Sequence, residues 1–218
     1  MGYIPSAMRN YLVRLGWSHG NEEVFSTEQA IEWFDLDNVG RSAARFDFAK
    51  LESINFEHLR NAPDDDLLEM LVAFMPYTEA GADMLSKLTD DLRHKLLFAM
   101  PCLKERAKTL NDLIAGAQFL FAERPLNLDE KAAKLLDDPA RQVMAELSNH
   151  LETADEWNLQ SVETSLRAFV ETNDLKFGKV AQPLRAVLTG TTVSPGIFEI
   201  LTVLGKEEAI ARIQDQIT

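Results

Sequence analysis

Residues 177–201 read FGKVAQPLRAVLTGTTVSPGIFEIL. The apolar positions Val180, Leu184, Val187 and Leu188 recur at helical rather than alternating spacing, which predicts a helix over 180–188. A second helix is expected over 195–204. It opens at Pro195, a residue suited to a first helical turn because the amide hydrogen it lacks would be unpaired there. A third follows over 206–217. The same stretch also has a charge signature. Residues 175–198 contain no Asp or Glu but carry Lys176, Lys179 and Arg185, a net +3.

Working outward, the pattern stays helical. Pro5 fits a first turn, and Met8, Tyr11, Leu12 and Leu15 follow at helical spacing up to Gly16. Ser26 and Gln29 have the spacing of a capping box, with Ile31 and Phe34 continuing that helix. Residues 35–47, with Gly40, read as a loop. A helix over 48–59 turns Leu51, Ile54 and Leu59 inward. Asn61, Ala62 and Pro63 break the chain. Asp64 is then placed to cap a helix carrying Leu67, Leu68, Leu71 and Phe74, limited by Pro76. Thr89 caps a helix with Leu92, Leu96 and Met100 that Pro101 is expected to interrupt. Leu110, Leu113, Ile114, Ala117 and the run Phe119, Leu120, Phe121 form another apolar face, and Pro125 marks a second boundary. Further helices are expected over 129–136, 139–151 and 159–171. With no alternating strand run and no fixed-period repeat, the fold class is all-α, built as stacked helical bundles. The breaks divide it into 1–63, 64–124 and 125–218.

Composition bounds the function. The 218 residues are 46% hydrophobic and 26% charged, an ordinary globular balance. No apolar run has the length a membrane helix needs, and the first ten residues lack a signal-peptide core. A cytoplasmic protein with no membrane partner is expected. The one cysteine, Cys102, cannot form an internal disulfide.

The net charge of −13 disfavours a nucleic-acid partner until its distribution is considered. Residues 91–108 hold five cations (Arg93, Lys95, Lys104, Arg106, Lys108) against two acids. Two windows of +3 therefore leave −19 on the rest of the chain.

No chemical constellation is present: no phosphate loop, no G-x-S-x-G elbow, no H-E-x-x-H. No catalytic or metal-ligating set is expected. Asp64, Asp65 and Asp66 read as a solvated helix start, where negative charge is favoured. Cys102 reads as a small apolar residue with no His or Asn partner to activate it. Trp17, Trp33 and Trp157 read as packing residues rather than stacking platforms.

The stretch 177–201, continued by Leu204-Gly-Lys-Glu, resembles the glutamyl-tRNA synthetase signature V-A-Q-P-L-R-x-A-L-T-G, S/T-P-G-L-F-E-x-L and L-G-K-E. Gly2-Tyr-Ile-Pro, Asn10-Tyr-Leu and Leu15-Gly-Trp-Ser resemble the family's segment just after its catalytic domain. Arg45-Phe-Asp, Lys50-Leu and Asn55 fit the same region, and Glu105-Arg-Ala-Lys-Thr-Leu supplies the middle. The resemblance spans nearly the whole chain. The family's H-I-G-H and K-x-S-K type motifs are absent. Met84-Leu-Ser-Lys echoes the second but lies beyond the Gly2 segment, where the family has no such motif.

The resemblance implies the tRNA-binding half of the synthetase, without its N-terminal catalytic domain and inactive alone. It implies a truncated chain, a monomer, and a stem-contact helical region (1–63) followed by two helical anticodon-binding subdomains, the α-helix cage (64–124 and 125–218). It implies tRNA(Glu) as partner. No cofactor is implied for this chain, and ATP with magnesium is implied for the complete enzyme.

By position, Arg106 corresponds to the arginine that reads the third anticodon base, for which a guanidinium offers a planar donor fork. Gln182, Arg185, Ser194, Pro195 and Ile197 correspond to the cage around the first two bases, with the helix after Pro195 presenting its N-terminus to RNA. Lys176 and Lys179 would contact phosphates. Read from the residues alone, a stand-alone tRNA-binding paralogue and a helical adaptor that binds protein through the acidic remainder stay open. So does the bland alternative that Gln182, Pro183, Ser194, Pro195 and Gly196 shape two helix junctions.

Overall fold

The structure, a computed structural model, describes residues 1–40 and 44–217. Among these no strand forms; a single bridge pairs Trp17 with Val39. Residues 41–43 of the expected 35–47 loop, and Thr218, lie outside the described residues. The chain forms two compact units. The first holds residues 1–86 and 103–115, the second 87–102 and 116–218.

The first unit opens with α1 (Pro5–Arg14), which starts at Pro5 as its sequence suggests and buries Ala7, Asn10 and Tyr11 on one stripe. That stripe packs on α3 (Phe48–Asn61), whose Leu51, Ile54, Asn55 and Leu59 are buried. Between them, α2 (Thr27–Trp33) begins with the full Ser26–Gln29 capping box. It stops at Trp33, so Phe34 is a half-exposed C-cap rather than a helical residue. Asp47 caps α3 through Oδ1, which accepts from the amides of Ala49 (2.9 Å) and Lys50 (3.1 Å).

The helix α4 (Asp64–Phe74) corrects one expectation. Its N-cap is Pro63, and Asp64 lies in the first turn with Asp65 and Asp66. Pro63, fixed in an extended conformation, takes the cap position itself, and the Asp64 carboxylate instead pairs with Lys104 Nζ at 2.6 Å. Then comes α5 (Glu79–Lys87), burying Gly81 and Met84.

The helix α6 (Asp90–Lys104) corrects another. Thr89 Oγ1 accepts from the Leu92 amide at 3.3 Å, as a cap should, but Pro101 lies inside the helix. A proline three residues from a helix end removes a single ladder bond. Leu96, Ala99, Met100 and Leu103 remain buried, and their packing carries the helix through. The Cys102 thiol donates to the Ala99 carbonyl at 2.9 Å. The next helix, α7 (Leu110–Ala117), passes into a 3-10 turn over Gln118–Leu120.

The second unit continues with α8 (Glu130–Ala133), α9 (Asp138–Glu152), α10 (Leu159–Thr172), α11 (Phe177–Thr189), α12 (Ile197–Leu204) and α13 (Lys206–Ile217). Only one turn of the helix expected over 129–136 forms. Asp137 caps α9, and an Asn158–Ser161 capping box opens α10. Packing pairs α9 with α13, α10 with α12, and α11 with α9, α12 and α13. Met144, Leu147, Val162, Leu166, Leu184, Ile200 and Ile213 lie in the buried core.

Gly190 ends α11 in the left-handed region (φ 76°). A Cβ there would stand 2.6 Å from the Asn127 carbonyl oxygen. Backbone conformation and close approach thus both require glycine, which sets the direction of the 191–196 loop.

Trp17 is buried, Trp33 stacks on His19 (centroids 4.5 Å apart), and Trp157 Nε1 donates to the Leu201 carbonyl at 2.8 Å. All three pack within the fold.

Candidate nucleic-acid interface

In the second unit, the candidate residues gather on α11 and the loop leading to α12. Arg185, half-buried on α11, turns Nη1 onto that loop. It donates to the carbonyls of Ser194 (3.1 Å) and Pro195 (2.5 Å) and to Ser194 Oγ. The loop is further closed by Thr191 Oγ1, which donates to the Val193 carbonyl at 2.8 Å. Arg185 therefore shapes the loop, and Arg185 and Ser194 form one hydrogen-bonded unit. Gln182, one turn earlier on the same helix, is exposed. Val193 stands at the loop tip, 82% exposed.

Three expectations change here. Pro195 is buried and precedes the helix, whose N-cap is Gly196. The Ile197 side chain is buried too. And the N-terminus of α12 is not bare, because the Glu199 carboxylate folds back against Gly196. An acid in a first turn is favourable to the helix, and it occupies the place an RNA anion would take. Pro183, which could have marked a junction, lies buried inside α11. Lys176, the N-cap of α11, and Lys179 in its first turn are exposed.

In the first unit, Arg106 is exposed in the turn after α6. The residues around it are tightly built. Asn55, wholly buried, accepts from the Ile4 amide at Oδ1 (2.8 Å) and donates from Nδ2 to the Lys108 carbonyl (2.5 Å). The Leu110 amide donates to the Gly2 carbonyl (2.8 Å), and Asn111 Nδ2 to the Met1 carbonyl (3.0 Å). Asp112 Oδ2 accepts from the amides of Lys108 (3.0 Å) and Thr109 (2.9 Å). Lys104 Nζ reaches the Ala62 carbonyl (2.8 Å) besides Asp64. Lys108 Nζ pairs with Glu52 at 2.7 Å, which raises its pKa above the usual lysine value.

Three segments far apart in sequence (residues 2–5, Asn55 and 105–110) thus meet at one place. Sequence reasoning missed what Asn55 does there. The signal was present: Leu51, Asn55 and Leu59 recur every four residues, so an amide interrupts an apolar stripe.

A second buried amide, Asn10, holds the neighbouring loop. Its Nδ2 donates to the Glu23 carbonyl (3.2 Å), while Oδ1 accepts from the Phe25 amide (3.1 Å) and lies 2.8 Å from His58 Nε2. Burial, aided by the nearby Arg9 charge, pushes the His58 pKa below the usual imidazole value. Tyr11 Oη accepts from the Asp47 amide at 2.5 Å, and the Tyr11 ring packs edge-on against Phe46 at 4.9 Å. The segments Asn10-Tyr and Arg45-Phe-Asp are thereby joined.

The described residues build a helical fold with no strand, and the comparisons give the chain a family. Residues 66–217 match the family described as anticodon binding domain, and the chain belongs to that family. Its relatives include glutamate–tRNA ligase 2 of Brucella ovis and glutamate–tRNA ligase 1 of Brucella melitensis. Each is 55% identical over 217 residues, covering 100% of this chain and 46% of the relative. Among solved structures, a glutamate tRNA ligase from Elizabethkingia meningosepticum, in complex with its amino acid, matches with a TM-score of 0.78 and 29% identity. That match covers 99% of this chain and 41% of the other. The chain thus spans somewhat less than half the length of the relatives it matches. Among the described residues, no helix is long and apolar enough to cross a membrane.

Proposed function

We propose that this chain is the tRNA-recognising part of a glutamate–tRNA ligase and binds the anticodon end of tRNA(Glu). The observation that carries it is the 55% identity to glutamate–tRNA ligases along 217 residues. In this reading, residues 1–63 contact the tRNA stem, and 64–124 and 125–218 form the two anticodon-binding subdomains. Arg106 reads the third anticodon base. Gln182, Arg185 and Ser194 line the cage for the first two, with Pro195 and Ile197 contributing shape and backbone. Lys176 and Lys179 hold phosphates. Activation of glutamate by ATP with magnesium, and its transfer to the tRNA, belong to the catalytic domain of the complete enzyme, a cytoplasmic monomer.

The physical basis is an unpaired anticodon loop, whose bases are free to be splayed and read on their edges. The chain's net charge of −13 makes regional charge decisive: RNA would engage the cationic windows and avoid the remainder. A mobility-shift titration tests this. The 218-residue chain should bind tRNA(Glu) in preference to an unrelated tRNA. Affinity should fall with salt by about 0.7 log units per log unit for each single-strand phosphate contacted. Equal affinity for both tRNAs would reject the proposal.

A further inference from the structure

Arg167, on α10, is not among the residues assigned above. Its guanidinium carbon lies 5.4 Å from the ring centroid of Phe177 and 5.4 Å from that of Phe198. The two rings are 5.7 Å apart, at 49° to each other. One edge of the guanidinium is fixed by Glu163, whose Oε1 accepts from Nε (2.8 Å) and forms an ion pair with Nη2 at 2.7 Å. Yet the side chain remains 59% exposed.

We propose that this seated guanidinium is a stacking platform for an anticodon-loop base outside the triplet. The proposal rests on the tRNA-binding reading above and extends it to a further nucleotide.

Four observations support a base rather than another occupant. First, the guanidinium is pre-ordered. An exposed arginine ordinarily loses rotamer freedom when it engages a ligand; here two rings and a carboxylate have already removed it. Second, Glu163 balances its charge locally, which weakens it as a phosphate contact and leaves its planar face as the useful surface. Unpaired bases stack on arginine planes and on aromatic rings alike. Third, Lys176 and Lys179 flank Phe177 in sequence and are exposed, so backbone attraction is available beside the platform. Fourth, residues 175–198, which include both rings, carry no acid. Phe177 and Arg185 lie eight residues apart on α11, about 12 Å along its axis at 1.5 Å per residue. The Phe177 ring on which Arg167 rests thus sits about two helical turns before Arg185 on α11.

The test uses the full chain and tRNA(Glu) anticodon stem-loops carrying 2-aminopurine at one loop position outside the triplet at a time. Stacking should change the probe's fluorescence at one of these positions on binding. Arg167→Lys keeps the charge and loses the plane. It should abolish that change and weaken stem-loop binding about 10-fold, with the salt dependence unaltered. Arg167→Ala should behave alike. If both variants bind as the parent does, or if lysine restores full binding while alanine lowers the salt dependence, the platform is refuted. In either case tRNA binding by the parent chain still stands. If the parent does not bind the stem-loop at all, both proposals fall.

Discussion

Replacing Arg212 with alanine is expected to destabilise the second unit by about 3 kcal/mol, the scale of breaking a buried charged hydrogen-bond set. Arg212 is 3% exposed on α13. Its Nη1 donates to the carbonyls of Phe119 (2.9 Å) and Leu188 (2.8 Å), and its Nε to Glu208 Oε1 (2.7 Å). The two carbonyls end the 3-10 turn after α7 and the last turn of α11, so one side chain satisfies chain ends that have no helical partner. Alanine would strand both carbonyls and leave a cavity.

Glu208 is a smaller part of the cost. It is about one-third exposed, and Arg124 lies 3.9 Å away to share its charge. Arg212→Met, which keeps much of the packed volume, should still fall within about 1 kcal/mol of alanine if the stranded carbonyls dominate. Thermal unfolding followed by circular dichroism checks this. At the usual 2–4 °C per kcal/mol for a chain of this size, the alanine variant should melt about 6–12 °C lower. A shift under about 2 °C would mean the carbonyls find other partners.

Arg106→Gln is expected to act in the opposite sense, leaving stability within about 0.5 kcal/mol while changing recognition. Arg106 is exposed, so little packing is lost. The turn that presents it is held by Asn55, Asp112 and Lys104. A guanidinium placed on a base edge contributes about 1–3 kcal/mol of discrimination. Its loss should narrow the affinity ratio between stem-loops differing only at the third anticodon base by about 10-fold. Competition binding with the two stem-loops measures this, and an unchanged ratio would remove the role given to Arg106.

The helices were legible where local rules decide them. Pro5, the Ser26–Gln29 box and the Leu51, Ile54, Leu59 stripe are each set by neighbours within one or two turns, and all are found in the fold. The misplaced details are those decided by burial and by side-chain contacts beyond one helical turn. Pro101 was expected to interrupt α6, but the buried leucines and Met100 around it keep the helix intact. Asp64 was expected to cap α4, but a lysine 40 positions later claims its carboxylate. Pro195 was expected to open α12, but Arg185 draws its carbonyl into the preceding loop.

The same division holds at the candidate interface. Exposed charges such as Lys176 and Lys179 can be read from composition, because nothing needs to be known about their neighbours. Asn55, Glu199 and Arg167 cannot. The first acts by joining residues about 50 positions away on either side, the second by folding back onto a helix start, and the third by lying across two rings from different helices.

The measurement that bears most directly on anticodon recognition compares the tRNA(Glu) anticodon stem-loop with the same stem-loop carrying a substituted triplet, at one fixed salt concentration. If the chain reads the anticodon, substitution should weaken binding at least 10-fold, since each mismatched contact costs about 1–3 kcal/mol. Equal affinity for the two RNAs would show that the cationic windows hold RNA without reading it, and would contradict the account.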